Sequence, residues 1–230
     1  MKGARVSQMK LAKLSAFFAP HKTIPQTSWR AAHRWDLSPR RVLILFFGLA
    51  IFGLGDALLI QSNIGNAPWT VFAEGLSQHT GLLIGWATAI TSVFVLLIWI
   101  PLRERPGFGT ISNIVLIALF IEVGIHIFPE QGNYLLGILF ALMGIALVGA
   151  GSALYITCGL GPGPRDGAMT GLHRVTGVRV SRVRLAIEVT VLLAGWVLGG
   201  TVGLGTLLFA LLIGNSMAIS LGFLARQTAK

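Results

Sequence analysis

The feature that most constrains this chain is a motif that occurs twice. The first copy reads Gly-Asn-Ala-Pro at 65–68, and the second reads Gly-Pro-Gly-Pro at 161–164, so that each position is followed 96 residues later by its counterpart. In both copies Gly-Leu and then Thr-Gly follow at the same spacing. An equal spacing of Gly and Pro over such a distance indicates that the chain is a duplicated unit.

The same offset holds outside the motif. Three glycines before the first copy, at 48, 53 and 55, have counterparts at 144, 149 and 151. Downstream, Gly-Phe-Gly-Thr at 107–110 corresponds to Gly-Leu-Gly-Thr at 203–206. Small residues let the backbones of membrane helices approach closely, so the two glycine-rich segments are predicted to be central packing helices.

Composition places the chain in a membrane. Hydrophobic residues make up 54% of it and charged residues only 11%, against about 25% charged in an ordinary soluble domain. The formal net charge is +10, but nine of the 18 Lys and Arg residues lie in the first 41 positions. This clustering fits membrane orientation better than nucleic-acid binding, and no nucleic-acid partner is expected.

Six apolar segments predict an all-α protein with six transmembrane helices, because each is near the roughly 20 residues that span a bilayer. They lie at about 41–61, 82–102, 109–128, 134–157, 180–198 and 204–224. The resulting divisions are a basic tail (1–40), a first three-helix repeat (41–128), a second three-helix repeat (129–225) and a C-terminal tail (226–230). The basic tail is interpreted as a cytoplasmic segment that touches anionic lipid, with a regulatory or partner-binding role as the alternative.

The connections between segments alternate in charge. The two tails and the stretches after Leu102 and Cys158 are basic, whereas 62–81, 129–133 and 199–203 contain no Lys or Arg. The positive-inside rule then places both termini in the cytoplasm of a bacterial inner membrane. Because each repeat has three helices, the second repeat would be inverted relative to the first, a design found in secondary transporters.

Each motif is interpreted as the start of a half-helix that enters the membrane. Pro68 and Pro164 suit the first helical position, and the preceding glycines permit a sharp approach. Two helix N-termini meeting near the midplane would suit an anionic or polar solute. The alternative is a pair of surface loops that repeat only because the gene duplicated. The predicted substrate-binding residues are Asn66, Pro68, Trp69, Gly161, Gly163, Pro164, Arg165 and Asp166.

The copies differ where the first has Trp69-Thr70 and the second has Arg165-Asp166. These two charged residues either bind substrate or pair with each other, and Arg165 alone would also serve as a membrane anchor.

Ionisable residues within membrane segments indicate function. Asp56, Glu122 and His126 are the predicted ion-coupling residues, and the last two stand one helical turn apart, where they can pair. Glu188 is expected to form a structural pair with Arg184, one turn before it.

Catalytic motifs and clustered His or Cys residues are absent from the sequence. We therefore expect no enzyme activity, no cofactor and no metal site.

The six-helix length, the repeated motif, Gly-Leu-Gly-Pro-Gly-Pro-Arg-Asp-Gly at 159–167 and the two Gly-x-Gly-Thr helix starts resemble the YczE/YyaS/YitT family of bacterial integral membrane proteins. The resemblance covers about residues 41–225. It implies location and topology, and often a transporter label. Members of that family often carry Trp-Asp after the motif proline, whereas here Trp69 and Asp166 lie in different copies.

The sequence thus predicts a small secondary transporter of a polar or anionic solute. The alternatives are a substrate-binding membrane subunit of a multi-component importer and a non-transporting scaffold or regulator. Expected partners are membrane lipid and a small-molecule or ion substrate, and a homodimer is consistent with the small size of the chain.

Overall fold

The computed structural model describes residues 23–228, and within them the regular structure is entirely helical, with eight helices. They are α1 (Pro39–Gln61), α2 (Pro68–Thr80), α3 (Ile84–Leu102), α4 (Phe108–Ile127), α5 (Tyr134–Thr157), α6 (Pro164–Thr176), α7 (Val180–Val197) and α8 (Leu204–Thr228). The prediction of a C-terminal tail at 226–230 is corrected, because α8 continues through Arg226 to Thr228.

Five helices are long and apolar enough to cross a membrane: α1, α3, α4, α5 and α8. The chain is an integral membrane protein. The remaining predicted segment, at 180–198, is present as the 18-residue helix α7. It is not among the five, and it carries Arg182, Arg184 and Glu188.

The outer surface of the helices suits lipid. Large apolar side chains are exposed along all five long helices, among them Phe47, Phe94, Val115, Leu135 and Leu211. A soluble monomer rarely exposes apolar surface on this scale, whereas in a bilayer such surface faces hydrocarbon.

The helix boundaries follow the 96-residue offset. The two short helices, α2 and α6, are both 13 residues long and both begin at a proline. Each ends at a glycine in the left-handed conformation, Gly81 (φ 71°) and Gly177 (φ 69°). At about 1.5 Å per residue, helices of 13 residues are too short to cross ~30 Å of hydrocarbon, which agrees with the predicted half-helices.

Helices α1 and α5 form the centre of the fold, as their glycines predicted. A Cβ on Gly151 would lie 2.5 Å from the carbonyl oxygen of Gly48, and one on Gly144 would lie 2.6 Å from that of Gly55. The two backbones are therefore in direct contact. Around this pair, α4 packs on α1 and α8 packs on α5.

The short helices cross between the two halves of the chain. Helix α2 of the first half packs against α7 of the second, and α6 of the second half packs against α3 of the first. Each half therefore contributes a short helix to the packing of the other.

The part of the predicted tail that the structure describes, residues 23–38, is packed against the protein. Thr27 donates its hydroxyl to the carbonyl oxygen of Thr157, and the Ala31 N–H donates to that of Cys158 (2.8 Å). The predicted assignment of residues 1–40 to a lipid-touching tail is thus corrected for residues 23–38, which pack on the protein. The lipid contact expected of the rest falls on residues 1–22, outside the described part of the chain.

Arg41 fixes this segment in place. Its Nε donates to the carbonyl oxygen of Trp29 (2.7 Å), and its Nη1 lies 2.8 Å from Asp36 Oδ1. A hydrogen bond from the Ala32 N–H, followed by the charge of Arg41, lowers the pKa of Asp36 below its ordinary value. The segment thus has its own polar contacts where it meets the start of α1.

Candidate functional site

Each motif loop is held by the last helix of the other half. The Gly109 N–H at the start of α4 donates to the carbonyl oxygen of Leu160, and the Gly205 N–H at the start of α8 donates to that of Ile64, both at 2.8 Å. This reciprocal hydrogen bonding fixes where α2 and α6 begin. It also explains the two Gly-x-Gly-Thr sequences, because a side chain at either second glycine would meet the loop backbone.

Glycine is required at the first position of both motifs. Gly65 and Gly161 each have φ 115°, a conformation that other residues rarely adopt. A Cβ on Gly65 would lie 2.5 Å from the Gly203 nitrogen, and one on Gly161 would lie 2.8 Å from Thr110 Oγ1. The loops therefore have the same strained shape and the same tight packing.

Both half-helices begin without a side-chain cap. Pro68 and Pro164 occupy the first turn, and the preceding residues, Ala67 and Gly163, offer no side-chain oxygen. Free N–H groups and the partial positive charge of a helix N-terminus remain at each start.

The two N-termini meet at a cavity of about 140 Å³. Pro68 and Trp69 line it from α2, and Gly163, Pro164 and Arg165 line it from the start of α6. A water molecule needs only about 10–15 Å³ of such space, whereas drug-sized ligands occupy pockets of roughly 300–1,000 Å³. The cavity therefore has room for a small solute.

Asp56 of α1 is the most deeply buried charged residue of the cavity wall. It is 2% exposed, and no residue in the described range 23–228 donates a hydrogen bond to its carboxylate. A buried carboxylate is expensive unless it is paired and hydrogen-bonded. Asp56 is thus a predicted site residue that does line the cavity.

Arg165 is held through the face of its guanidinium group. The group lies 4.9 Å from the centre of the Trp69 ring, a cation–π contact between the two half-helices. No carboxylate of residues 23–228 lies within ion-pair distance of it. Of the predicted alternatives, internal Arg165–Asp166 pairing is therefore wrong.

Asp166 is instead bonded to Tyr155 of α5, whose hydroxyl donates to Oδ2 of the carboxylate. Arg184 and Glu188 form the predicted structural pair, with 2.8 Å between Nε and Oε1, and both line the cavity. Their pairing is confirmed, and it adds a closed pair of charges to the cavity wall.

Asn66 and Gly161 lie in the loops rather than in the cavity wall. Asn66 donates from Nδ2 to Glu74 Oε2 (2.8 Å) and from its N–H to the carbonyl oxygen of Thr201 (3.1 Å). Gly161 shapes the turn before α6. Both predicted site residues therefore act on the backbone that positions the half-helices.

Glu122 and His126 of α4 lie outside the cavity wall. Glu122 Oε1 accepts a hydrogen bond from the Gly85 N–H (2.5 Å), and His126 Nδ1 lies 2.8 Å from the Glu122 carbonyl oxygen. The prediction that these two side chains pair is wrong, because the imidazole contacts a backbone carbonyl oxygen and the carboxylate is hydrogen-bonded to α3.

Sequence reasoning missed Tyr155, Trp99 and Glu74. Tyr155 is 3% exposed and lines the cavity, and Trp99 Nε1 donates to the carbonyl oxygen of Pro164 (2.9 Å). A signal existed for Tyr155, because it is one of only two tyrosines and lies inside an apolar segment. No group of metal-binding side chains occurs among the residues that the structure describes.

Residues 39–221 match a family described as "Family of unknown function (DUF6198)". A Haemophilus influenzae protein named "Uncharacterized protein" is 42% identical, over 89% of this chain and 94% of its own length. The "Uncharacterized membrane protein YczE" of Bacillus subtilis is 38% identical, over 76% of this chain and 83% of its own. The "Uncharacterized protein YyaS" of the same organism is 24% identical, over 78% and 92%.

These matches confirm the YczE and YyaS part of the predicted resemblance, while the YitT part stays a prediction. No solved structure matches the chain.

Proposed function

The chain belongs to the DUF6198 family, and on that premise we propose that it is a small secondary transporter of a polar or anionic solute. The proposed solute site is the cavity at the N-termini of α2 and α6. The two half-helices enter the membrane as re-entrant segments, and the cavity lies between the halves that they join.

The observation that carries this proposal is the unpaired charge in the cavity. Asp56 and Arg165 both face it, and neither has an ion-pair or hydrogen-bond partner among residues 23–228. Charged groups inside a membrane protein are expensive and mark substrate or ion pathways. Asp56 is the proposed binding group for a coupling proton, a cation or a cationic part of the solute, whereas Glu122 and His126 lie outside the cavity wall.

In the proposed topology, six helices cross the membrane as two inverted repeats, with α7 as the sixth. Its Arg184 and Glu188 pair with each other at the cavity, which reduces the penalty of placing them in the membrane. Basic connections, such as those holding Arg103 and Arg174, then lie on the cytoplasmic side together with both termini. The membrane is the bacterial inner membrane.

Lipid is the proposed partner of the exposed apolar surface, a homodimer is compatible with it, and no nucleic-acid partner is proposed. Under the importer-subunit and scaffold alternatives, the protein alone would not carry a solute through this cavity. The scaffold alternative acts through residues 1–22, because residues 23–38 are part of the fold.

A thermal-shift screen of detergent-purified protein against ions, amino acids, sugars and vitamins tests the proposal, followed by flux measurements in proteoliposomes. A ligand at a hundred times its Kd stabilises the folded state by about 2.7 kcal/mol. We expect a hit that Arg165→Gln abolishes and Arg182→Gln preserves, since Arg182 is exposed and outside the cavity wall. A folded protein that binds no solute and carries none across a vesicle membrane would overturn the proposal.

A further inference from the structure

The charges that line the cavity fall into two groups. Asp166 accepts the Tyr155 hydroxyl, and Arg184 pairs with Glu188, so these three have partners within the protein. Asp56 and Arg165 remain, one negative and one positive, without an ion-pair or hydrogen-bond partner in the described chain. An occupant that matches both must carry both charges.

We propose that the cavity binds a small zwitterion of the α-amino acid type, with its ammonium group at Asp56 and its carboxylate at Arg165. This inference rests on the proposed function, because it names the substrate class of the same site. It narrows a polar or anionic solute to one that bears a cation and an anion a few bonds apart.

Arg165 is prepared for a carboxylate. Trp69 covers one face of the guanidinium at 4.9 Å and so orients it, while the N–H groups along its edge have no acceptor among residues 23–228. A guanidinium edge matches a carboxylate with two parallel hydrogen bonds. Arg165 also lies in the first turn of α6, where the helix dipole favours an anion.

Asp56 is prepared for a cation. Its carboxylate is 2% exposed and faces the cavity without a hydrogen-bond donor in the described residues. A solute that is only an anion would add a second negative charge beside it, and a solute that is only a cation would leave Arg165 unmatched. A zwitterion satisfies both groups, and pairing each of its charges with an opposite charge offsets the cost of removing both from water.

Size selects among zwitterions. The cavity of about 140 Å³ lies well below the roughly 300–1,000 Å³ of drug-sized pockets. The polar groups that line it further, such as Ser92 and Asn113, suit a short polar or small apolar side chain. We therefore infer the smallest amino acids rather than aromatic or peptide-sized ones.

Three probes of matched shape test this inference in purified full-length protein: L-alanine, propionate, which lacks the ammonium, and ethylammonium, which lacks the carboxylate. Calorimetric titration gives their Kd values, with glycine as a smaller zwitterion. We expect both zwitterions to bind at least ten times more tightly than either single-charge probe, and a tenfold difference corresponds to about 1.4 kcal/mol.

Two variants that each remove one charge locate the two groups. Asp56→Asn should weaken the binding of L-alanine at least tenfold and that of propionate little. Arg165→Gln should weaken the binding of both. Arg182→Gln is the matched control. The wild-type probe series needs no variant, so it decides the matter even where a variant fails to fold.

If propionate binds as tightly as L-alanine and Arg165→Gln abolishes that binding, the zwitterion proposal is overturned, whereas the proposed anion site remains. Ethylammonium binding equal to that of L-alanine, or no binding of either zwitterion at millimolar concentration, would also overturn it. Failure of the broad solute screen and of the flux measurement would remove the proposed function as well.

Discussion

The two half-helices have the same backbone and different chemistry. Helices α2 and α6 have equal lengths, proline starts and left-handed glycine ends. Yet the first turn of α2 presents Trp69 and Thr70, whereas that of α6 presents Arg165 and Asp166. The shape of the site thus comes from both copies, whereas only the second copy places charged side chains at the start of its short helix, so a duplicated chain holds an asymmetric cavity.

The helices are also anchored differently. In α2, Glu74 accepts hydrogen bonds from Asn66 Nδ2, from the Thr201 N–H (2.7 Å) and from Thr201 Oγ1 (2.6 Å). In α6, Trp99 holds the Pro164 carbonyl oxygen from α3, and a 3.0 Å ion pair joins Arg174 to Glu104 beyond that helix. The equal backbones are therefore secured by unrelated contacts, which can be removed one copy at a time.

The strongest test of the shared backbone is Gly65→Ala against Gly161→Ala. Both should lower the free energy of unfolding by about 3 kcal/mol, the upper end for a strained φ, because the new methyl group also meets its neighbours. Gly65→Ala should be the worse, since its Cβ would lie 2.5 Å from a backbone nitrogen, that of Gly203, whereas the nearest atom to a Cβ on Gly161 is Thr110 Oγ1 at 2.8 Å. Denaturant unfolding in detergent measures both. Gly132→Ala, where a Cβ meets nothing, is the control, and an equal loss there would refute the prediction.

Removing the anchor of α2 should have the next largest effect. Glu74→Gln loses the charge that three hydrogen bonds share, and we expect a loss of about 2 kcal/mol. The corresponding residue of α6 is Thr170, whose hydroxyl bonds only within its own helix, so Thr170→Ala should change the stability by about 0.5 kcal/mol or less. The same unfolding assay compares them. Equal losses would mean that Glu74 does not anchor α2.

The Tyr155–Asp166 hydrogen bond belongs to the second copy alone, because Leu59 and Thr70 occupy the corresponding positions. Tyr155→Phe should lower the free energy of unfolding by about 1 kcal/mol. Asp166→Thr, which installs the residue of the first copy, breaks the same bond. The double variant should therefore lose less than the sum of the two, and full additivity would show that the bond contributes no stability.

The smallest expected effect concerns the α6 anchor. Trp99→Phe keeps a smaller aromatic ring at this buried position but removes the donor to the Pro164 carbonyl oxygen, and hydrogen bonds between membrane helices average about 0.6 kcal/mol. Trp86→Phe on the same helix is the matched control, because that ring is 63% exposed. A thermal-shift comparison separates them, and identical melting temperatures would show that the bond does not hold α6.

Much of the local structure could be predicted from the sequence. The apolar segments placed the long helices to within a few residues, and the motif prolines placed the starts of α2 and α6. These features depend on the length of an apolar run and on the φ angle that the proline ring fixes. Both can be read from a short stretch of sequence.

The contacts between the halves could not be predicted in this way. A membrane helix is apolar on all sides, so the sequence pattern does not show which face meets which neighbour. The packing of α6 on α3 and the bond of Tyr155 to Asp166 follow from three-dimensional proximity alone. The same holds for residues 23–38, which the sequence assigned to a basic tail that touches lipid, although their hydrogen bonds secure them to Thr157 and Cys158.

Because the hydrogen bonds of the motif loops are reciprocal, the two loops acquire their donors at different times during synthesis. When the loop at Leu160 is synthesised, its donor Gly109 already exists, whereas the loop at Ile64 must wait for Gly205. At about 5–20 residues per second, that delay is on the order of ten seconds. We expect α2 to reach its place only after the last helix emerges, which crosslinking of nascent chains arrested before residue 205 would reveal. The copy that comes first from the ribosome is then the one that folds last.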